Sequence, residues 1–148
     1  MIITSPSFAE GDPIPRKFTC AGGDINPELQ IQNVPPGTGS LALVVHDPDA
    51  PIEGGFTHWV VWNIDPGTML IKEESVPPGA VEGSNGAGRI GYMGPCPPPG
   101  GPHRYEFRLY ALPGELDLPE GSSMSDLMKA MEGKTMAEAV LTGSYAKE

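Results

Sequence analysis

Cysteine is scarce in this 148-residue chain, occurring only at Cys20 and Cys96. Two are too few for a disulfide scaffold and lack the paired spacing of a structural zinc site, so the default reading is two buried thiols. Basic residues are also few. Nine Lys and Arg stand against 19 Asp and Glu, a net charge of −10. That balance repels phosphate backbones and anionic membrane surfaces and argues against nucleic acid as a partner. No apolar run approaches the length a bilayer requires, so no membrane span is expected. The start, Met1-Ile2-Ile3-Thr4-Ser5-Pro6, has neither the basic residues nor the long apolar stretch of a leader. A cytoplasmic protein with reduced thiols is the expectation.

Several catalytic patterns are missing as well. There is no G-x-S-x-G nucleophile elbow and no H-E-x-x-H zinc helix, which removes most support for a hydrolase. Gly133-Lys134-Thr135 ends like a phosphate loop, but Met128 occupies the position where its first glycine would stand, and the stretch reads as a helix C-terminus. Gly83-Ser84-Asn85-Gly86-Ala87-Gly88 has no strand before it and no clear helix after it, so a mobile surface loop explains it better than a dinucleotide site. No repeat of fixed period is visible.

Glycine (20) and proline (18) are abundant, and they separate apolar runs rather than cluster, which marks turns between strands. Leu29 to Gln32 alternates apolar with polar, the pattern of a half-buried strand. Leu41 to Val45 is continuously apolar, as in a strand covered on both faces. In His58 to Ile64, period two places His58, Val60, Trp62 and Ile64 on one face. In Tyr105 to Ala111 it sets Tyr105, Phe107, Leu109 and Ala111 on the apolar side, and the same parity puts His103 there too. One helix is predicted over Asp126 to Glu132, with Ser123 or Ser125 as N-cap and Gly133 as the stop. A second helical turn over Thr135 to Glu138 and a last strand around Val140 to Tyr145 complete the reading. The length suits a single domain over residues 1–148, mainly β, an antiparallel sandwich with short helices around one hydrophobic core.

The polar residues at strand ends are the chemical candidates: Asp47 and Asp49 after one strand, His58 at the start of another, His103 before a third. Loops carried at sheet ends are common binding sites. Each residue also has a plain alternative, since Asp47 and Asp49 suit turns and either histidine could be paired within the core. His46, on the opposite parity from Asp47, reads as structural. The convergence of the set carries the functional reading. Two Asp and two His would also suit a metal-dependent enzyme using Asp47, Asp49, His58 and His103.

Asp47-Pro48-Asp49-Ala50-Pro51, Thr57-His58-Trp59, and Gly91-Tyr92-Met93-Gly94-Pro95-Cys96-Pro97-Pro98 leading into Pro102-His103-Arg104-Tyr105 together resemble the signature blocks of phosphatidylethanolamine-binding proteins, called Raf kinase inhibitor proteins in animals. Phe18-Thr19-Cys20-Ala21-Gly22-Gly23 and Leu141-Thr142-Gly143-Ser144-Tyr145 extend the likeness to the short bacterial and archaeal branch. The resemblance implies a β-sandwich with a pocket for phosphate, phosphoethanolamine or acetate, formed by Asp47, Pro51, His58, Pro97, His103 and Tyr105. Phe56 stands beside that pocket, and Cys96 stands where the animal proteins usually have glycine. The chain stops at Glu148 where the animal proteins add a covering segment, so a more open pocket is expected.

The resulting expectation is a non-enzymatic small-anion binding protein without cofactor or metal. In it His58 and His103 donate to the anion, Tyr105 adds its hydroxyl, and Asp47 orients one imidazole. Inhibition or regulation of a protease or kinase through a surface loop is the alternative that the resemblance offers. Two geometric expectations accompany it: Cys20 lies near Cys96, and Ala50-Pro51 is a candidate cis bond.

Overall fold

The central strand is the continuously apolar one. In the computed structural model, which describes Met1–Glu148, β3 (Ser40–Asp47) is flanked by β4 (Phe56–Ile64) and β7 (His103–Leu112). With β6 (Val81–Glu82) and β8 (Ala137–Tyr145) they make a five-stranded sheet of order β6-β4-β3-β7-β8. A smaller sheet, β1-β2-β5, is built from β1 (Ile2–Thr4), β2 (Leu29–Gln32) and β5 (Leu70–Ile71). All strand pairs within the sheets are antiparallel. The fold is thus mainly β with two antiparallel sheets, and no helix is long and apolar enough to cross a membrane.

The expected single core is divided in two by the large sheet. Leu41, Leu43 and Val45 of β3 point toward the small sheet, meeting Tyr105, Phe107, Leu109 and Ala111 of β7 and Leu29 and Ile31 of β2. Ala42 and Val44, on the opposite parity, face α1 (Met124–Met131) through Leu127 and Met131. That is why β3 reads as an unbroken apolar run: both of its faces are covered. The helix begins two residues before the expected Asp126. Ser123 caps it in a capping box, its hydroxyl accepting from the Asp126 N–H while the Asp126 carboxylate accepts from the Ser123 N–H.

Two expectations about strands are overturned. Thr135 to Glu138 is not helical: Gly133 ends the helix region with φ of 73°, and β8 starts at Ala137. The open edge of β7 supplies a partner for every residue of β8, from Ala111↔Ala137 to His103↔Tyr145, so pairing overrides local helix preference. In β4 the strict alternation fails twice. The pairing Val45↔Trp59 gives way to His46↔Thr57, leaving His58 as an extra residue on β4. Between Leu43↔Val61 and Leu41↔Ile64 a second extra residue enters, near Asn63 with φ of 54°. These bulges shift the parity at both ends. Val60 and Trp62 face the helix, whereas Trp59, Val61 and Ile64 lie in the inter-sheet core, and His58 turns toward Tyr105.

Candidate functional site

The bulge at His58 places that ring on the same side of the sheet as Asp47, at the end of β3, and His103 and Tyr105, at the start of β7. These side chains, with Pro51, Phe56, Cys96 and Pro97, line one cavity of about 360 Å³. All eight residues singled out from the sequence for binding therefore meet in one place. Ala50, Ile52, Met93 and Pro98 also line it and were missed. Met93 matters most, because it contributes a main-chain carbonyl that no side-chain pattern could reveal.

Asp47 is buried and fully engaged. Its Oδ1 accepts from the Asp49 N–H at 2.8 Å and its Oδ2 from His103 Nδ1 at 2.7 Å. The first bond is an Asx turn that starts the loop to β4. The Ile52 N–H then donates to the Ala50 carbonyl at 2.8 Å, and the Gly55 N–H to that of Ile52 at 3.0 Å. Gly54 and Gly55 take φ near 80°, and a Cβ on Gly55 would collide with the Asp47 carbonyl. These turns reverse the chain without a cis bond: Ala50-Pro51 is trans, contrary to expectation.

Asp49 does not join the cavity. It forms a fork with Arg104, whose Nε and Nη2 donate at 2.9 and 2.8 Å while the Arg104 N–H adds a third bond at 2.9 Å. The guanidinium and backbone bonds lower its carboxyl to a pKa of about 2. Asp49 is thus held apart from the other three residues of the metal-enzyme alternative, and no cluster of three or more His, Cys, Asp or Glu is arranged to hold a metal ion. His46 lies outside as well, bonded to Thr57 Oγ1 at 3.3 Å and the Gly54 carbonyl at 2.7 Å.

His58 Nδ1 lies 2.6 Å from the Met93 carbonyl. The rings of Phe56 and Tyr105 approach it edge-on, with centroids at 5.0 and 5.3 Å. Burial lowers its pKa, opposed by the Met93 carbonyl and the Asp47 carboxylate. Tyr105 is 1% exposed, and its hydroxyl is the one buried side-chain polar atom without a hydrogen-bond partner. Burial first, and the Asp47 charge second, push that phenol up, so it keeps its proton.

The wall of the cavity is held from outside. Cys20 and Cys96 are disulfide-bonded with α-carbons 5.4 Å apart. Their proximity was expected; their being buried, reduced thiols was not what the structure shows. Both residues are exposed, because they sit on two surface loops that meet at one sheet end. The Cys20 N–H also donates to the Pro95 carbonyl at 3.1 Å, and the Gly94 N–H to Asp24 Oδ1 at 2.7 Å. The glycine-rich stretch has a different role from the expected mobile loop. Asn85 is buried and bonds Ala87, Arg89 and Gly91, closing a turn. Gly86 lies flat on the Phe56 ring, where a Cβ would meet ring carbons at 2.6 Å.

Comparison with known proteins agrees with this architecture. A family model described as phosphatidylethanolamine-binding protein matches residues 4–146. A UPF0098 protein of Methanothermobacter thermautotrophicus is 44% identical, the alignment covering 99% of each chain. The crystal structure of a phosphatidylethanolamine-binding protein homologue from Chlamydia trachomatis superposes with a TM-score of 0.94 at 42% identity, covering 99% of this chain and 97% of that one. E. coli YbcL, described as a member of the mammalian family, gives 0.93 at 32% identity over 99% and 98%.

Proposed function

The chain belongs to the phosphatidylethanolamine-binding protein family, and we propose that it is a non-enzymatic binding protein for a small anion of the phosphate or carboxylate class, held between His58, His103 and Tyr105. The observation that carries this reading is the Tyr105 hydroxyl. A phenol that is buried and unpartnered costs about 1–3 kcal/mol relative to one with a hydrogen-bond acceptor, and Tyr105 lines the cavity together with both imidazoles. A bound anion supplies the missing acceptor.

Asp47 stands behind the His103 ring, bonded to its Nδ1, so it orients that imidazole instead of repelling an anion directly. Titration calorimetry with inorganic phosphate tests the reading. Affinity should fall as pH rises through the ordinary histidine range near about 6.5, and His103→Ala should weaken binding at least tenfold with the fold retained. Affinity that is flat with pH and indifferent to His103→Ala would defeat it.

A further inference from the structure

The two imidazoles of the cavity are not equivalent. His58 Nδ1 faces the Met93 carbonyl oxygen at 2.6 Å, an atom with lone pairs and no hydrogen, so Nδ1 must carry the proton and donate. Nε2 has no partner in the protein. It is not sealed off either, because the Tyr105 hydroxyl is the only fully buried side-chain atom left unpartnered. Nε2 therefore opens on the cavity. In a neutral ring it is a hydrogen-bond acceptor, and only a second proton would make it a donor.

The surroundings keep that second proton away. The residue is 4% exposed, and its ring meets two aromatic rings edge-on. The ionisable groups around it are His46 and Asp47 of β3 and His103 and Tyr105 of β7. Asp47 favours a charged ring, but both of its oxygens are already engaged by His103 and the Asp49 N–H. The tyrosine remains a neutral donor. Desolvation outweighs the carboxylate, and His58 is the neutral member of the pair.

We infer that the pocket selects an anion that carries its own proton: a phosphate or phosphomonoester whose P–OH donates to His58 Nε2 while its other oxygens accept from His103 and the Tyr105 hydroxyl. The inference rests on the anion-binding reading and narrows it. Sulfate is fully deprotonated near neutrality and a phosphodiester has no proton to give, so either would set lone pairs against the lone pair of Nε2. Charge points the same way: the chain's net charge of −10 and the Asp47 carboxylate behind His103 suit a monoanion better than a dianion. Phosphomonoesters exchange their second proton near pH about 6, so the singly protonated form is available in the working range.

Sites built around a ligand hydroxyl reject analogues lacking it by factors up to about 10⁴–10⁵ when fully closed. In this open cavity water can serve as a substitute partner, and at least a tenfold preference is expected. The test is calorimetry on the full chain near pH 6 with four probes: inorganic phosphate, phosphoethanolamine, sulfate and dimethyl phosphate. Phosphate and phosphoethanolamine should bind at least tenfold more tightly than sulfate and dimethyl phosphate. The ³¹P shift of bound phosphoethanolamine should stay that of the singly protonated ester at a pH where the free ester has lost that proton.

His58→Asn keeps an N–H for the Met93 carbonyl and removes the acceptor at the Nε2 position. It should reduce the phosphate-to-sulfate ratio to below threefold. If that variant does not fold, the four-probe comparison and the ³¹P shift on the parent chain decide alone. Equal binding of phosphate and sulfate by the parent, or an unchanged ratio in folded His58→Asn, overturns the selection of a protonated anion and leaves anion binding standing. Failure of all four probes to bind overturns both.

Discussion

His103 and Asp47 form a fixed donor–acceptor pair at the mouth of the large sheet, with His103 Nδ1 donating to Asp47 Oδ2 at 2.7 Å. The other carboxylate oxygen is occupied by the Asp49 N–H, so the carboxylate cannot rotate without losing a bond. This settles which nitrogen of His103 looks outward. Nε2, the other ring nitrogen, becomes a donor only when the ring is charged.

Asp47→Asn should therefore change the pH dependence of binding more than its strength. An asparagine whose oxygen still accepts from the Asp49 N–H presents its NH₂ to His103 Nδ1, which must then accept, moving the ring proton to Nε2. The neutral ring becomes a donor to the ligand. Phosphate affinity in this variant should vary less than threefold between pH 6 and 8, while the parent weakens at least tenfold. Parallel pH profiles for the two proteins would show that the carboxylate does not set the tautomer.

Gly86 and Phe56 should be energetically coupled. A methyl at position 86 has no space against the Phe56 ring, so Gly86→Ala should cost about 1–3 kcal/mol through overpacking. Phe56→Ala should relieve most of that penalty. A double-mutant cycle by urea denaturation should give a coupling of at least about 1 kcal/mol, and additive effects would mean the loop does not brace the ring.

The sequence makes the strand positions plain because period two survives wherever one ladder is regular. Leu29–Gln32 and the inward set Tyr105, Phe107, Leu109 and Ala111 stand where alternation places them. Alternation cannot register an extra residue. His58 shares the parity of Val60 and Trp62 in sequence, yet the bulge opposite Val45 and His46 turns it to the other face, so its place at a strand end and the family likeness, not alternation, pointed to the pocket. The same limit hid Met93, which acts through its carbonyl, and β8, whose first residues are strand because β7 offers them an edge. The cis expectation for Ala50-Pro51 failed for a related reason: an Asx turn and two glycines already close the loop.

The disulfide should contribute strongly to stability. It closes a separation of 76 residues, and in the chain-entropy account a loop of that length is worth roughly 4 kcal/mol. Replacing Cys20 and Cys96 together by serine should lower the urea midpoint accordingly. Because Cys96 and Pro97 also line the cavity, phosphate affinity should fall as well. A loss of stability under about 1 kcal/mol, taken from the midpoint shift and the m-value, would show that the hydrogen bonds from Cys20 and Gly94 hold the loops unaided. Bonded cysteines fit an oxidising compartment better than a reducing cytosol, so counting free thiols in freshly isolated protein tests the cytoplasmic expectation directly.

The neutral state of His58 has a consequence for stability that does not depend on any ligand. Burial lowers its pKa in the folded chain, whereas the unfolded chain holds histidine at its ordinary value near about 6.5. Above that value neither state is protonated at this ring, and the bond to the Met93 carbonyl contributes in full. As pH falls below it, the unfolded chain takes up a proton that the folded chain refuses. Stability is then lost by up to about 1.4 kcal/mol per pH unit until the folded value is passed. His58→Asn cannot titrate and still offers an N–H to Met93. It should be less stable than the parent at pH 8, by about 1–3 kcal/mol for the altered packing, and the gap should narrow steadily on acidification. Urea midpoints for both proteins at several pH values from 8 to 5 give the comparison, and taking the difference removes most of the contribution of carboxylates common to both. A constant gap over that range would mean that the His58 ring is as easily charged inside the fold as outside it.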